Sequence, residues 1–357
     1  MPMPHNNPVR AALLGYGYAG RTFHAPLLQA VDGIDLVLLG SSRPDAVHER
    51  LQDVRVCDAS LAAVDPNVDM VVIATPNESH FPLAAAALRA GKHVVVDKPF
   101  TLDLAEAVEL KRIAEEHGRV LSVFHNRRWE SEIQGAQQML HTGALGAVTH
   151  YELHMDRYRP NVRQRWREDP GPGAGLWFDL GPHMIDAALY LFGMPDAIQG
   201  NLATLRAGGR TDDWGHAVLL YPVMRAVLHA SLLVAGTGPR STLHGTAGSW
   251  LKYGADTQEP QLQAGMSPND PAFGVDPDGG VIVDGATGAR TAATPLRGCQ
   301  AKYYESIRDA IQLGSAPAVT AQDAVNVMTV MEAFYVSARE GRTVSLNTSK
   351  QESGRGK

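Results

Sequence analysis

Four short segments hold the residue types from which a reaction could be built. Gly15-Tyr16-Gly17-Tyr18-Ala19-Gly20 fits G-x-G-x-x-G and follows the apolar run Val9–Leu14, the strand-then-helix context in which that string binds a dinucleotide. Gly15 would allow the tight turn, Gly17 the approach of a pyrophosphate, and Gly20 the packing of helix on strand. The phosphates would rest on free N–H groups at a helix N-terminus. The other three segments are Ala74-Thr75-Pro76-Asn77-Glu78-Ser79-His80, Asp97-Lys98-Pro99 and Asp179-Leu180-Gly181-Pro182-His183-Met184-Ile185-Asp186. The first two directly follow apolar runs, and the third opens a helical pattern. Lys98 is the informative residue. An ammonium at the end of an apolar strand, beside a nicotinamide, is partly desolvated and can steady a developing alkoxide. A lysine there without the other segments would read as a surface residue.

These segments need a scaffold that brings strand ends together. Val9–Leu14, Ile34–Leu39, Met70–Ala74, His93–Val96 and Val120–Phe124 are short apolar runs, as expected of strands covered on both faces of a parallel sheet. Helical patterns at Phe81–Ala90 and Leu102–His117 alternate with them. Each stops at a glycine, and Thr101 or Asp103 is placed to cap the second. Pro26, six residues past Gly20, should break and restart the first helix. Beyond Phe124 the segments lengthen: Ala147–Met155, Ala197–Leu205, His216–Tyr221, Arg225–Val234 and Thr242–Gly245 suit a mostly antiparallel sheet. Helices at Ile133–Thr142 and His183–Phe192 would cover one face. Pro268–Arg290 reads as a long surface loop, and helices at Lys302–Leu313 and Ala321–Glu340 close the chain. The fold class is therefore α/β: an N-terminal Rossmann doubly wound parallel sheet, residues 1–124, and a C-terminal α/β domain with a large, mostly antiparallel open sheet, residues 125–346. The last helix is free to pack back on the first domain, and residues 347–357 read as a disordered tail.

The end of the second strand bears on the cofactor. An NAD site places an acidic residue there for the ribose 2′-hydroxyl. This chain has Gly40-Ser41-Ser42-Arg43, with Asp35 too early in the strand. Small hydroxyls followed by a guanidinium suit a 2′-phosphate, which implies NADP, with NAD the alternative and a plain solvated Arg43 the blander reading.

Composition narrows the function classes. The 357 residues are 44% hydrophobic and carry a net charge of −6, so general nucleic-acid binding is not expected. No apolar stretch approaches the roughly 20 residues of a membrane span. Cys57 and Cys299 form no C-x-x-C pair. MPMPHNNP lacks the basic and apolar regions of a signal peptide, so a cytoplasmic protein is expected.

The glycine motif, TPNESH, VVVDKP and DLGPHMID occur in the order and spacing of the glucose-fructose oxidoreductase/inositol dehydrogenase/MocA (Gfo/Idh/MocA) family. The resemblance spans about Val9 to Leu346. The family usually has Glu-Lys-Pro where this chain has Asp97-Lys98-Pro99. GYGYAGRTFHAPLL, SSR, VFHNRRWE, RYRPNVRQRWRE and GPRSTLHGTAGSWLKYG resemble the NADP-dependent scyllo-inositol 2-dehydrogenase branch. The resemblance implies a catalytic trio of Lys98, Asp179 and His183. His183 would be the general base, Lys98 would steady the substrate oxygen, and Asp179 would orient the imidazole or hold a neighbouring hydroxyl. It implies that Thr75, Pro76, Asn77 and His80 line the cofactor pocket, that Lys98–Pro99 is a cis junction, and that the reaction moves a hydride between nicotinamide and a ring secondary alcohol. The alternatives are an aldose or glycoside dehydrogenase of the same family, or a non-catalytic NADP-binding regulator.

Two further constellations stand out. Arg157, Arg159, Arg163, Arg165 and Arg167, beside Tyr158 and Trp166, could bind nucleic acid, but Asp156, Glu168 and Asp169 flank them. A loop over a polyhydroxylated substrate is the better reading, with Arg127, Trp129 and Tyr158 as candidate contacts. His150, Glu152, His154 and Asp156 alternate along one strand and share a face. A metal site is imaginable there. Alternation, however, is the ordinary mark of a half-buried strand, so no metal is expected, and the face reads as solvated or subunit-facing. An open sheet of this kind would serve a homodimer or homotetramer.

Overall fold

A computed structural model describes residues 7–236 and 238–347. The chain forms two compact units that interleave in sequence. Among the described residues, the first gathers 7–129, 257–275 and 298–325, and the second gathers 130–256, 276–297 and 326–347. Later segments, residues 257–275 and 298–325, thus return to the first unit.

In the first unit six parallel strands, β1 (Val9–Leu14), β2 (Ile34–Gly40), β3 (Arg55–Cys57), β4 (Met70–Ile73), β5 (His93–Val96) and β6 (Leu121–Val123), stand in the order β3-β2-β1-β4-β5-β6. That order reverses between β1 and β4, so a crevice opens at the carboxyl ends of those two strands. Every residue of β4 is buried, and β5 is a run of valines after His93. Branched side chains packed on both faces explain why these segments settle as inner strands.

The first helix is interrupted as its proline requires. Gly20–His24 forms a π-helical turn, and α1 (Ala25–Ala30) restarts with Pro26 in its first turn, where no N–H is missed. Short helices α2 (Pro44–His48) and α3 (Ala59–Ala62) and the longer α4 (His80–Arg89) and α5 (Leu104–Glu116) complete the crossovers. The Asp103 carboxylate caps α5 by accepting from the Glu106 N–H, and Glu106 accepts from the Leu102 N–H, a reciprocal capping pair. The helix Ala301–Leu313 belongs to this unit and buries Tyr303, Tyr304 and Ile307 in the core beneath β1.

The second unit is built on nine strands: β7 (Val148–His154), β8 (Ala197–Ala203), β9 (Trp214–Leu220), β10 (Arg225–Ser231), β11 (Ser241–Gly245), β12 (Gly248–Lys252), β13 (Val281–Asp284), β14 (Arg290–Ala292) and β15 (Val344–Ser345). Their order is β14-β13-β12-β11-β7-β10-β9-β8-β15. The pairing is antiparallel except between β7 and β10. Helices α6 (Ser131–Thr142) and α7 (Leu176–Phe192) belong to this unit. Trp177 of α7 stacks on Phe334 with centroids 4.0 Å apart.

Several expectations need correction. The helix expected at His183–Phe192 begins seven residues earlier, at Leu176, and carries Pro182 inside it. The stretch 268–290 holds strand β13 and the start of β14. The sequence reading did not name β3, β12, β15 or the helix Gln258–Gln263. Of the expected tail, Asn347 donates from its side-chain amide to Asp196; residues 348–357 lie outside the described residues.

Candidate active site

At the carboxyl end of β1 the glycines meet the steric demands of a dinucleotide turn. Gly15 has φ +93°, and a Cβ on it would stand 2.4 Å from the Ala74 carbonyl oxygen. A Cβ on Gly20 would stand 2.1 Å from the Gly15 carbonyl oxygen, so helix and turn touch only because Gly20 lacks a side chain. Gly17 is the opposite case. Nothing lies within 4 Å of where its Cβ would be, which leaves backbone accessible to a pyrophosphate. The turn therefore fits the group that the motif implies. Tyr16 is buried, while Tyr18 is exposed, donates from its hydroxyl to Glu259 and accepts from Gln263. Ala19, after Tyr18, is half-buried.

Ser41, Ser42 and Arg43 follow β2, with Ser42 and Arg43 exposed; Ser41 Oγ accepts from the Arg43 N–H at 3.1 Å. Asp35 lies near the start of β2, away from this end. Asp58 is committed to capping α3 through the Ser60 N–H.

Beyond β4, Thr75 and Pro76 lead into a short turn in which Asn77 is buried. His80 is almost wholly buried, and its ring spans two loops. Nδ1 lies 2.9 Å from the Pro99 carbonyl and Nε2 lies 3.0 Å from the Thr75 carbonyl. Burial pushes its pKa down, against the pull of Asp97 and these carbonyls. His80 thus ties the loop after β4 to the loop after β5 from behind.

Lys98 stands half-buried at the end of β5, before a cis Lys98–Pro99 bond. Behind it runs a chain of side chains that no local motif signals. Asp97 accepts from the Lys98 backbone N–H at 2.8 Å. Its Oδ1 lies 3.8 Å from Nε2 of His24, a fully buried histidine whose Nδ1 lies 2.6 Å from the Tyr304 hydroxyl. Burial pushes the Tyr304 pKa well up, so the phenol keeps its proton. The other ring nitrogen, Nε2, faces the Asp97 carboxylate. Desolvation acts to raise the Asp97 pKa, but the opposing pull of His24 and Lys98 leaves it below the ordinary carboxylate value.

In the second unit, Asp179 and His183 lie one turn apart in α7 and so share a face. His183 is buried and Asp179 half-buried, with Arg167 Nε 3.7 Å from the Asp179 carboxylate. The start of α7 is capped from a distance. Asp212 accepts the Leu176 N–H on its carbonyl and the Trp177 N–H on its carboxylate. Gly175, at φ +96°, lets that carboxylate approach, since a Cβ there would stand 2.0 Å from it. The arginine-rich loop is anchored by Arg206, which is buried and paired with both Glu168 and Asp213.

The candidate substrate contacts are placed as follows. Arg127 lies in the first unit, 3.8 Å from Glu259. Trp129 packs edge-on against Tyr303, on the rim of the first core. Tyr158 is exposed and forms an isolated bridge with Leu233 in the second unit. Sequence reading did not find His24, Tyr304, Asp212 or Arg206. His24 and Asp97 are pure tertiary partners, and no spacing rule joins residues 280 positions apart such as His24 and Tyr304.

Comparison with known proteins gives concordant results. Residues 9–125 match the oxidoreductase family's NAD-binding Rossmann fold, and residues 137–346 match its C-terminal alpha/beta domain. An uncharacterized oxidoreductase of Escherichia coli, YdgJ, is 44% identical over 341 residues, covering 95% of this chain and 99% of its own. The NADP(+) scyllo-inositol 2-dehydrogenase IolW of Bacillus subtilis is 37% identical over 343 residues, covering 95% and 96%. A crystal structure from Klebsiella pneumoniae superposes with a TM-score of 0.90 at 49% identity, covering 97% of each chain. Among the described residues no helix is long and apolar enough to cross a membrane.

Proposed function

Since the chain belongs to the Gfo/Idh/MocA oxidoreductase family, with an NAD(P)-binding Rossmann domain, we propose that it is an NADP-dependent dehydrogenase of a ring secondary alcohol, with scyllo-inositol as its substrate. The observation that carries this reading is Lys98. A strand end beside the dinucleotide crevice presents an ammonium, and the buried Tyr304–His24–Asp97 chain braces the residue before it. Likeness to IolW along nearly the whole of both chains supports the substrate class.

Oxidation of a secondary alcohol takes a proton from oxygen and a hydride from carbon. NADP, when bound, supplies the hydride acceptor. Gly15, Gly17 and Gly20 shape the turn that would hold its pyrophosphate, and Ser41, Ser42 and Arg43 would hold the 2′-phosphate. Thr75, Pro76 and Asn77 line the pocket, with His80 fixing their loop. His183 takes the hydroxyl proton, Lys98 neutralises the charge growing on that oxygen, and Asp179 holds a neighbouring hydroxyl or the imidazole.

The test is NADPH formation, followed by absorbance, over a panel of cyclitols, aldoses and glycosides. The expected result is best turnover on scyllo-inositol, with kcat reduced about 10²- to 10⁴-fold in Lys98→Ala and His183→Ala while NADPH still binds His183→Ala. Best turnover on an aldose or glycoside would overturn the substrate assignment. Tight NADPH binding with no turnover anywhere in the panel would make the protein a binding regulator instead.

A further inference from the structure

The exposed face of the second sheet is crowded with imidazoles. His150, His154, His216, His229 and His244 stand among Glu152, Asp156 and Trp214 with ring centroids 5.3 to 5.9 Å apart. Strand alternation alone accounts for His150, Glu152, His154 and Asp156 as an ordinary polar face. What alternation does not supply is His229. It arrives on β10, in direct register with His154 on β7. We propose that His154, Asp156 and His229 form a binding site for a divalent transition-metal ion of the zinc class.

The spacing is the first argument. One ligand atom from each residue can be chosen so that all lie within 4.8 Å of one another. His154 Nδ1 lies 3.4 Å from one Asp156 oxygen, and His229 Nε2 lies 3.5 Å from the other. These separations are too long for imidazolium–carboxylate hydrogen bonds, which close to about 2.7–2.9 Å. Each is close to the ligand–ligand edge of a tetrahedron around zinc, about 3.3–3.4 Å when metal–ligand bonds are about 2.0–2.1 Å, with each Asp156 oxygen facing one imidazole.

The surroundings supply the second. Asp156 Oδ1 is a buried carboxylate oxygen that accepts no hydrogen bond, a state a cation would relieve. His154 turns its other nitrogen, Nε2, to Glu152 at 2.9 Å, the carboxylate–histidine pairing that orients an imidazole for a metal. Glu152 is itself braced by His150 at 2.6 Å. His229 is flanked by Trp214 and His216. The nearby cation Arg240 is engaged by Glu132 at 2.6 Å.

Two imidazoles and one carboxylate are a borderline-soft donor set, which favours zinc, cobalt or nickel over magnesium or calcium. Three protein ligands leave a fourth position. A cavity of about 570 Å³ beside Glu152, His154 and Asp156 gives water access to it.

The experiment is equilibrium dialysis of the chelator-stripped full-length protein against ZnCl2 in the presence of a competing chelator, with metal analysis. The expected result is one zinc per chain, with affinity reduced at least tenfold in His229→Ala and in Asp156→Asn. His141→Ala, which removes an exposed histidine on α6, should bind as wild type. Non-saturating uptake, or uptake unchanged in both site variants, overturns the proposal. Cobalt(II) added to the wild-type protein gives a readout independent of any variant's folding. A tetrahedral absorption spectrum supports the site, and the spectrum of the aqueous octahedral ion refutes it.

Discussion

Gly17 and Gly20 separate what the glycine turn does for folding from what it does for the nucleotide. A Cβ on Gly20 would lie 2.1 Å from the Gly15 carbonyl oxygen, whereas a carbon–oxygen contact needs about 3.3 Å. Gly20→Ala must therefore push helix and turn apart by about 1 Å. Overpacking of that size costs about 1–3 kcal/mol, or about five- to 150-fold in an equilibrium constant. The cost falls on stability where the turn holds its shape and on NADPH affinity where the turn yields, so both should drop. Gly17→Ala behaves differently. No atom lies within 4 Å of the new methyl, so the folded state should lose no more than about 0.5 kcal/mol. The methyl instead occupies the space through which a pyrophosphate reaches backbone N–H groups. Losing one charge-assisted hydrogen bond costs about 1.5–3 kcal/mol, which raises the NADPH dissociation constant about ten- to 150-fold. Urea unfolding and fluorescence titration with NADPH read the two quantities separately. A Gly17→Ala protein that binds NADPH within twofold of wild type would show that this turn does not carry the pyrophosphate.

Three further substitutions probe other links in the argument. Tyr304→Phe strips the hydroxyl from His24 Nδ1 inside the core, which should cost about 1–3 kcal/mol in urea unfolding and lower kcat through Asp97 and Lys98 while NADPH affinity holds; wild-type stability and kcat would remove this chain from the mechanism. Arg43→Ala should cut the preference for NADPH over NADH about tenfold or more, by loss of one charged contact of about 1.5–3 kcal/mol, and an unchanged ratio of kcat/KM values would return Arg43 to the solvent. Asp69 receives a two-pronged bond from the Arg10 side chain, at 2.7 and 2.9 Å, and the Arg10 guanidinium holds its carboxyl below the ordinary carboxylate pKa. Its contribution is present above the unfolded pKa and is lost as pH falls through the lower folded one. Asp69→Asn should therefore cost up to about 1 kcal/mol at pH 7 for this half-exposed pair and progressively less below about pH 4, and a cost that stays constant to pH 2 would contradict the assignment.

The parts of the fold that were legible are those whose signal is local. β4 and β5 are runs of branched residues covered on both faces, and the glycine, Thr75–His80 and Asp97–Pro99 segments sit where such strands end. The start of α7 departs from the local signal for a physical reason. Gly181-Pro182 carries the residues that begin helices, yet the helix starts at Leu176 because Asp212, 35 residues from Trp177, caps it there. Tertiary capping outweighed local propensity. The edge strands β3, β14 and β15 have two or three residues each, too few for any period to register, and pairing alone defines them.

The same distinction runs through the site, and it follows from what each residue must do. A residue that meets a ligand at a strand end needs a particular backbone conformation, and backbone conformation is written in neighbouring residues, so Gly15–Gly20 and Lys98 are visible as strings. A residue that braces another must fill whatever space the fold brings against it. His24 reaches Asp97 and Tyr304 from separate segments, and His229 comes beside His154 and Asp156 from the adjacent strand β10. Neither has a sequence neighbour that betrays its role, because its partners are set by the packing of strands and helices already formed. Bracing groups of this kind are therefore the positions where substitutions far from any motif should alter chemistry, and His24 is where that expectation is sharpest: it is fully buried, with one nitrogen taken by a phenol and the other turned toward the carboxylate beside Lys98.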